Sequence, residues 1–257
     1  MLRELTPRQR TVHGVTLGIL MLDTGFQRVP GDIGHAATWP FPVQYGVVRG
    51  VHGPDVIDGR GEVLTRFVEA ADALVRLGVD GITTSCGFLV KHQRALAARC
   101  AVPVATSSLL QIPSVAAMLP PGKRVGVLCA KPDALGAEHF AALGLPADLP
   151  VGGLSADSQF FRNNLSNAAR VDVAEQGREL LACARALHAA HPDIGAIVSE
   201  CANFAPYSAD LAEALALPVF DIVSMGEWFH AGLRPRRFAV TDADTAASTV
   251  SALAQNS

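Results

Sequence analysis

The chain has 257 residues, of which 49% are hydrophobic and 18% charged, a composition that supports a large buried core and argues against long disordered segments. The formal net charge is −3 and the sequence has no run of Lys or Arg, which argues against a nucleic acid or a membrane surface as partner. No apolar segment approaches the ~20 residues that span a bilayer. These features predict one large α/β domain or two smaller lobes.

Short apolar runs rich in Val and Ile alternate with Ala- and Leu-rich helical segments along the chain. The predicted strands are Val15–Leu22, Val43–Val48, Gly81–Ser85, Val102–Thr106, Arg124–Leu128, Ile194–Ser199 and Val219–Val223. The predicted helices are Glu62–Leu77, Val90–Ala98, Ser108–Met118, Ala134–Ala142, Val173–Ala190 and Ala209–Ala216. Continuous apolar runs are typical of strands buried on both faces, and their alternation with helices predicts mostly parallel sheets flanked by helices.

The two halves of the chain repeat each other at an offset of 115 residues. Cys86 and Cys201 each follow a predicted strand, and a Pro-led strand begins 17 residues later, at Pro103 and at Pro218. A repeat of this length predicts two pseudo-symmetric α/β lobes with the active site in the cleft between them.

The boundary between the lobes is predicted near Pro120-Pro121-Gly122, a sequence that breaks regular structure. An N-terminal lobe of residues 1–120 would carry Cys86, and a C-terminal lobe of residues 121–257 would carry Cys201. Exchange of terminal segments between the lobes is compatible with this division.

The repeated cysteines point to proton transfer. Ligands of open α/β sheets bind beyond the carboxyl ends of the strands, so Cys86 and Cys201 are expected to meet in one cleft, each at a helix N-terminus that favours the thiolate. Two thiols on opposite faces of an α-carbon can remove a proton from one face and return it on the other, which inverts the stereocentre. If one thiol takes the proton and a leaving group departs, the same geometry gives elimination.

The other cysteines carry no such signal. Cys100, Cys129 and Cys183 are expected to be small buried hydrophobes, and the odd number of cysteines argues against a disulfide framework. The sequence lacks cysteine and histidine pairs at zinc-binding spacing, and it lacks the Gly-rich loops of nucleotide sites, so we expect no metal and no cofactor.

The N-terminal region has only part of the pattern of an export signal. Arg3, Arg8 and Arg10 precede the apolar run Val15–Leu22, but that run is short and no small-residue cleavage site follows it. Together with the widely spaced cysteines, this predicts a cytoplasmic protein.

The cysteine motifs resemble those of the aspartate/glutamate racemase superfamily, over nearly the whole chain. Asp23-Thr24-Gly25 resembles the Asp-Ser-Gly turn of amino-acid racemases, Thr84–Phe88 takes the place of the first cysteine motif, and Glu200–Phe204 takes that of the second. Gly87-Phe88 and Ala202-Asn203 depart from the residues that follow the cysteines in glutamate racemases, so glutamate is not the expected substrate.

A narrower branch is more similar. Pro30–Ile33, Cys86–Phe88, Ser107–Pro113, Glu200-Cys201 and Pro206-Tyr207 resemble the algal dimethylsulfoniopropionate lyases and their bacterial relatives. The resemblance implies a cofactor-independent enzyme that acts on a small carboxylate and forms homodimers. A racemase or isomerase is the first hypothesis, a lyase that eliminates a β-leaving group is the alternative, and a non-catalytic two-lobed binding protein is the third.

The candidate site consists of the two cysteines and the polar or motif residues beside them. The predicted catalytic residues are Cys86 and Cys201, and the predicted substrate-binding residues are Asp23, Thr24, Gly87, Phe88, Thr106, Ser107, Ser108, Glu200, Ala202 and Asn203.

Several of these positions have a simpler structural explanation. Asp23 could bond to the backbone of its own turn, Ser107 or Ser108 could cap a helix, and Tyr207 is expected to pack. Glu200 could raise the pKa of Cys201 and keep it protonated, which would leave Cys86 as the base, or it could point away.

The loop Pro30–Pro42 contains Asp32, His35 and Trp39 and could close over the cleft, or it could be an ordinary connection. His35 is expected to be structural or exposed rather than a general acid or base.

Overall fold

The computed structural model describes residues 12–165, 167, 169–236 and 238. The outer ends of the two predicted lobes, residues 1–11 with Arg3, Arg8 and Arg10 and residues 239–257, lie outside the described residues. The described part confirms the predicted fold class, since it contains two four-stranded parallel sheets flanked by helices. Among its helices, none has the length and apolar character needed to cross a bilayer.

The first sheet lies in the N-terminal half and has the strand order β2-β1-β3-β4, with every pair parallel. Its strands are β1 (Leu17–Leu22), β2 (Val43–Val48), β3 (Gly81–Thr84) and β4 (Val104–Ala105). Its helices are α1 (Gly53–Ile57), α2 (Val63–Leu77), α3 (Gln93–Ala97) and α4 (Ile112–Met118), with 3-10 helices at Gly87–His92 and Ser108–Gln111.

The second sheet repeats this arrangement, with the order β6-β5-β7-β8 and parallel pairing throughout. Its strands are β5 (Arg124–Cys129), β6 (Val151–Gly153), β7 (Ile194–Ser199) and β8 (Val219–Phe220). Its helices are α5 (Ala137–Ala141), α6 (Val173–Ala190), α7 (Ser208–Leu215) and α8 (Ile222–Leu233), with 3-10 helices at Pro132–Ala134 and Ala205–Tyr207 and a π-helix at Phe161–Leu165. The strand orders of the two sheets therefore correspond position by position.

Helix α2 shows how the sequence produces these elements. Val63, Phe67, Ala71 and Leu74 recur at intervals of three or four, so they share one face, and all four are buried. The helix ends where Gly78 adopts a φ of 106°, a left-handed conformation that glycine accepts without a steric cost.

The predicted strand Val219–Val223 is too long, because β8 stops at Phe220. The next residue, Asp221, caps helix α8: its carboxylate accepts hydrogen bonds from the backbone N–H groups of Val223 and Ser224 at 2.9 and 2.8 Å. This cap starts a helix that the sequence analysis did not predict.

Helix α8 packs against the first sheet although it follows the last strand of the second. Leu233 and Phe229 lie against Gly81 at the start of β3, and Arg234 forms an ion pair with Asp80 at 2.7 Å. The indole of Trp39, from the β1–β2 loop, covers Gly226 in the middle of the helix. Helix α8 therefore ties the two halves of the chain together.

Replacing Gly226 with Ala should weaken this connection, because a Cβ there would lie 2.5 Å from two ring carbons of the buried Trp39. Overpacking of this kind costs about 1–3 kcal/mol. We expect urea unfolding to show that loss of free energy. Gly232→Ala on the same helix is the matched control, since no atom lies within 4 Å of a Cβ there. Equal effects of the two changes would show that helix propensity, and not the contact with Trp39, sets the stability.

Candidate active site

Cys86 and Cys201 occupy corresponding places in the two sheets. Each lies two residues beyond the end of a strand, Cys86 after β3 and Cys201 after β7. The sulfurs are near enough that negative charge on Cys86 raises the pKa of Cys201. The residues are only 8% and 9% exposed, so little of either side chain is open to solvent.

Both thiols are held in the protonated form in this closed arrangement. Burial, with the charge of Glu200 second, raises the pKa of Cys86 to about 12, and the same two causes raise the pKa of Cys201 well above its ordinary value. The backbone N–H groups of Phe88 and Leu89 do lower the pKa of Cys86, as expected at the start of a helix. The expected net preference for thiolate is nevertheless wrong here, because burial outweighs these bonds.

Glu200 joins the turns that carry the two cysteines. Its carboxylate accepts a hydrogen bond from the backbone N–H of Ala130 at 3.3 Å and one from the thiol of Cys129 at 3.4 Å. A third bond comes from the backbone N–H of Phe88, in the first cysteine turn. The residue is only 2% exposed, and burial raises the pKa of its carboxyl to about 7 in spite of these three donors.

The sequence left open whether Glu200 raises the pKa of Cys201 or points away from it. Glu200 does raise the pKa of Cys201, but its charge also raises the pKa values of Cys86 and Cys129. Glu200 by itself therefore does not distinguish an acid from a base in the pair.

Gly87 follows Cys86 because no larger residue fits there. A Cβ at this position would collide with the backbone oxygen and the carboxylate of Glu200. The Cys-Gly pair of the first half is therefore shaped by the Glu-Cys pair of the second.

Asp23 bonds to the turn that follows β2. Its carboxylate accepts hydrogen bonds from the backbone N–H of Gly50 at 2.9 Å and from Arg49 at 3.4 Å, and the bond from Gly50 is the main reason that its pKa is lowered. Asp23 therefore does bond to a backbone N–H group, but in a neighbouring turn and not in its own. Thr24 accepts a hydrogen bond from the guanidinium of Arg28 at 2.8 Å.

The three hydroxyl residues after β4 are fully buried and already bonded. Thr106 donates to Gln93 at 2.8 Å, and Ser107 caps the following helix by accepting from the backbone N–H of Leu109 at 3.2 Å. Ser108 donates to the carbonyl of Ser199 at the end of β7, at 2.5 Å. The bond from Ser108 ties the segment after β4 to the second sheet, whereas the other two bonds stay within the first half. Binding of a substrate carboxylate by these hydroxyls stays a prediction.

The residues that follow Cys201 differ in role. Ala202 is buried in the apolar cluster between the sheets, where it packs without a polar group to offer. The amide of Asn203 accepts from the thiol of Cys201 at 3.9 Å and donates to Asp32 at 2.6 Å. The side chain of Phe88 is likewise buried and packs edge-on against His139, and its backbone N–H acts to lower the pKa of Cys86.

The loop Pro30–Pro42 reaches across to the second half of the chain through Asp32 and Trp39. His35 is half-buried, and its ring nitrogen accepts from the backbone N–H of Ala37 at 3.2 Å, as expected of a structural histidine. The hydroxyl of Tyr207 donates to Gln176 at 3.1 Å in a buried contact, which fits the packing role expected for it.

Two features of the site were missed by sequence reasoning. Cys129 was expected to be only a small buried hydrophobe; it is buried, but its thiol also donates to Glu200. The sequence did offer one indication of this contact: Cys129 ends β5, and β5 is the neighbour of β7, the strand that leads to Glu200. Arg28 was not singled out, although it forms an ion pair with Asp32 at 2.6 Å. Among the described residues, no cluster of three or more His, Cys, Asp or Glu side chains could hold a metal ion.

The comparisons with known proteins agree with this architecture. The dimethylsulfoniopropionate lyase of Durusdinium sp. clade D is 28% identical over 240 residues, which cover 90% of this chain and 79% of the lyase. An unliganded arylmalonate decarboxylase matches with a TM-score of 0.56 at 17% identity, over 88% of this chain and 96% of the decarboxylase. A glutamate racemase of Bacillus anthracis matches with a TM-score of 0.57 at 15% identity, over 86% of this chain and 82% of the racemase.

The fold is therefore the one shared by arylmalonate decarboxylase and this glutamate racemase. No family model matches the sequence. The relatives and structural neighbours are enzymes, and they support an enzyme of the racemase fold, either a lyase or an isomerase.

Replacing Glu200 with Gln should change how stability depends on pH. The pKa of Glu200 is raised from 4.5 to about 7 on folding, so its contribution to stability is fully present below pH 4.5 and is lost as the pH rises through 7. The difference in unfolding free energy between wild type and Glu200→Gln should therefore fall by about 3 kcal/mol between pH 4 and pH 8.

Urea titrations of both proteins across this pH range measure that difference. Titratable groups that both proteins contain contribute equally to the two stability curves, so their contributions cancel when one curve is subtracted from the other. Parallel stability curves would contradict a raised pKa for Glu200.

Proposed function

We propose that the protein is a cofactor-independent enzyme in which Cys86 and Cys201 move the α-proton of a small carboxylate. The observation that carries the proposal is the placement of the two thiols at corresponding strand ends of two similar sheets, near enough to interact electrostatically. One thiol takes the proton as a base, and the other faces the same carbon as an acid.

The proposed reaction is elimination of a β-leaving group, as in the dimethylsulfoniopropionate lyases. The similarity to these lyases extends over 90% of the chain for the Durusdinium protein, and lyases of the same name from Emiliania huxleyi are also similar. In this reaction the α-proton passes to a cysteine, the C–H electron pair becomes the new C=C bond, and the leaving group departs with the electrons of its own bond.

Racemisation or another isomerisation is the second candidate. The specific observation in its favour is the pair of thiols contributed by the two halves, since proton return on the opposite face requires a second proton donor. The two reactions share their first step and differ in whether a β-leaving group is present.

The burial of the two thiols also affects the order of steps in the proposed reaction. Both thiols are protonated when buried, so a thiolate must form before turnover. Opening of the cleft admits water and relieves the burial that raises their pKa values. A cytoplasmic location and a homodimer remain predictions.

Incubation with candidate acids in heavy water, followed by NMR of the α-proton and by headspace analysis for volatile sulfide, tests the proposal. Loss of a β-group indicates a lyase, and exchange with inversion indicates a racemase. Absence of both across a broad panel of acids, including dimethylsulfoniopropionate, would favour a binding protein instead.

Cys86→Ser and Cys201→Ser should each lower turnover by at least about 10²-fold, because a serine hydroxyl is a far weaker acid than a thiol and does not ionise to act as the base. Cys100→Ser and Cys183→Ser are the matched controls, since these half-buried cysteines lie in the segment after α3 and on α6. They should keep wild-type rates. Full activity in either active-site variant removes that cysteine from the mechanism.

A further inference from the structure

A row of hydrogen-bonded polar side chains leads from the β1–β2 loop to Cys201. The guanidinium of Arg28 donates to one carboxylate oxygen of Asp32 at 2.6 Å, and the other oxygen accepts from the amide nitrogen of Asn203 at 2.6 Å. The amide oxygen of Asn203 lies 3.9 Å from the sulfur of Cys201. Asp32 is only 3% exposed, and the backbone N–H of Gly34 also bonds to it, at 2.8 Å.

The carboxylate of Asp32 fixes the direction of the Asn203 amide. An ionised carboxylate is only an acceptor, so it must receive the N–H side of the amide, and the carbonyl oxygen is then turned toward Cys201. A carbonyl oxygen opposite a sulfur accepts from a thiol but repels a thiolate, so this direction favours the protonated form.

The surroundings of Cys86 are different. The backbone N–H groups of Phe88 and Leu89 and the positive charge of Lys91 act to lower the pKa of its thiol, and Leu89 donates to the backbone oxygen of Cys86 at 3.2 Å. Cys201 faces the negative groups Glu200 and Asp32 as well as Cys86, and the backbone N–H of Asn203 is the donor that stabilises its charged form. Glu200 acts on both thiols, so the difference between them comes from these other neighbours.

We propose that Asp32 is a positioning residue that acts through Asn203 to hold Cys201 as the proton donor, which leaves Cys86 as the base. The inference rests on the proposed function and assigns a role to each thiol. In racemisation, the Cys86 thiolate removes the α-proton and Cys201 delivers its own proton to the opposite face. In elimination, Cys86 takes the proton, the leaving group carries away the electrons of its bond, and Cys201 keeps its proton.

The test uses thiol alkylation of the substrate-free full-length protein, which does not depend on turnover. Iodoacetamide reacts with thiolates, so its rate at each cysteine at pH 8.5 follows the thiolate fraction. Peptide mass spectrometry then reports Cys86 and Cys201 separately. Cys86 serves as the internal reference for opening of the cleft.

In Asp32→Asn the amide of Asn203 is free to turn its N–H toward Cys201. We expect the Cys201 rate, divided by the Cys86 rate, to rise about 3–10-fold, which corresponds to loss of one hydrogen bond to the thiol form. Asn203→Ala removes the acceptor itself and should shift the ratio in the same direction, which covers the case that Asp32→Asn does not fold.

Thr38→Val is the matched control. The Thr38 hydroxyl donates to the backbone oxygen of Asp32 at 2.6 Å, so this change disturbs the same loop without touching the carboxylate. In Thr38→Val, the alkylation rate of Cys201 divided by that of Cys86 should equal the wild-type ratio. An unchanged ratio in both Asp32→Asn and Asn203→Ala would overturn the inference, and so would an equal rise in Thr38→Val. Because no substrate is present, these outcomes are independent of the α-proton assays, which alone decide the proposed function.

Discussion

The buried carboxylate of Glu200 is the group on which the arrangement of both cysteine turns depends. It accepts hydrogen bonds from the backbone of Phe88 in the first half and of Ala130 in the second, and it lies against Gly87 without room for another atom. A carboxylate taken out of water requires such donors, because burial without them is costly. The need to satisfy this one group therefore draws the ends of the two sheets together.

The parallel architecture explains why the cysteines meet at all. Strands β3 and β7 end at the same edge of their sheets as the neighbouring strands, and each chain turn there leads into a helix. The hydroxyl of Ser108 and helix α8 add links between the halves, so the site is built from distant parts of the chain. The same enclosure buries both thiols, and this burial raises their pKa values and favours their protonated forms.

Most of the architecture could be predicted from local patterns. Strands β2 and β7 have the predicted bounds, as has helix α6, because segments rich in Val or Ile and a helical repeat mark them clearly. Strand β6, with the sequence Val-Gly-Gly, was not predicted, since two glycines do not favour a strand; it forms where it pairs with β5 and packs against Leu187 of α6. Helix α8 was missed because its start depends on a cap at Asp221 directly after a strand.

The cysteines could be found from the internal repeat, but their environment could not. Asp32 and Asn203 are 171 positions apart, and nothing in either local sequence indicates that they bond. The direction of Glu200 and the contact with Cys129 likewise depend on how the sheets pack. The preference of Cys86 for the thiol form illustrates the reason: a helix N-terminus is visible in the sequence, whereas the degree of burial is a property of the assembled fold.

The close approach of Gly87 to Glu200 also has an evolutionary consequence. A single substitution that adds a Cβ at position 87 creates a collision, and one that shortens position 200 leaves the buried N–H groups of Phe88 and Ala130 without their acceptor. Each change is tolerated best when the other accompanies it. The two halves repeat each other, yet at these two positions they cannot drift separately, and homologous sequences should show the pair varying together.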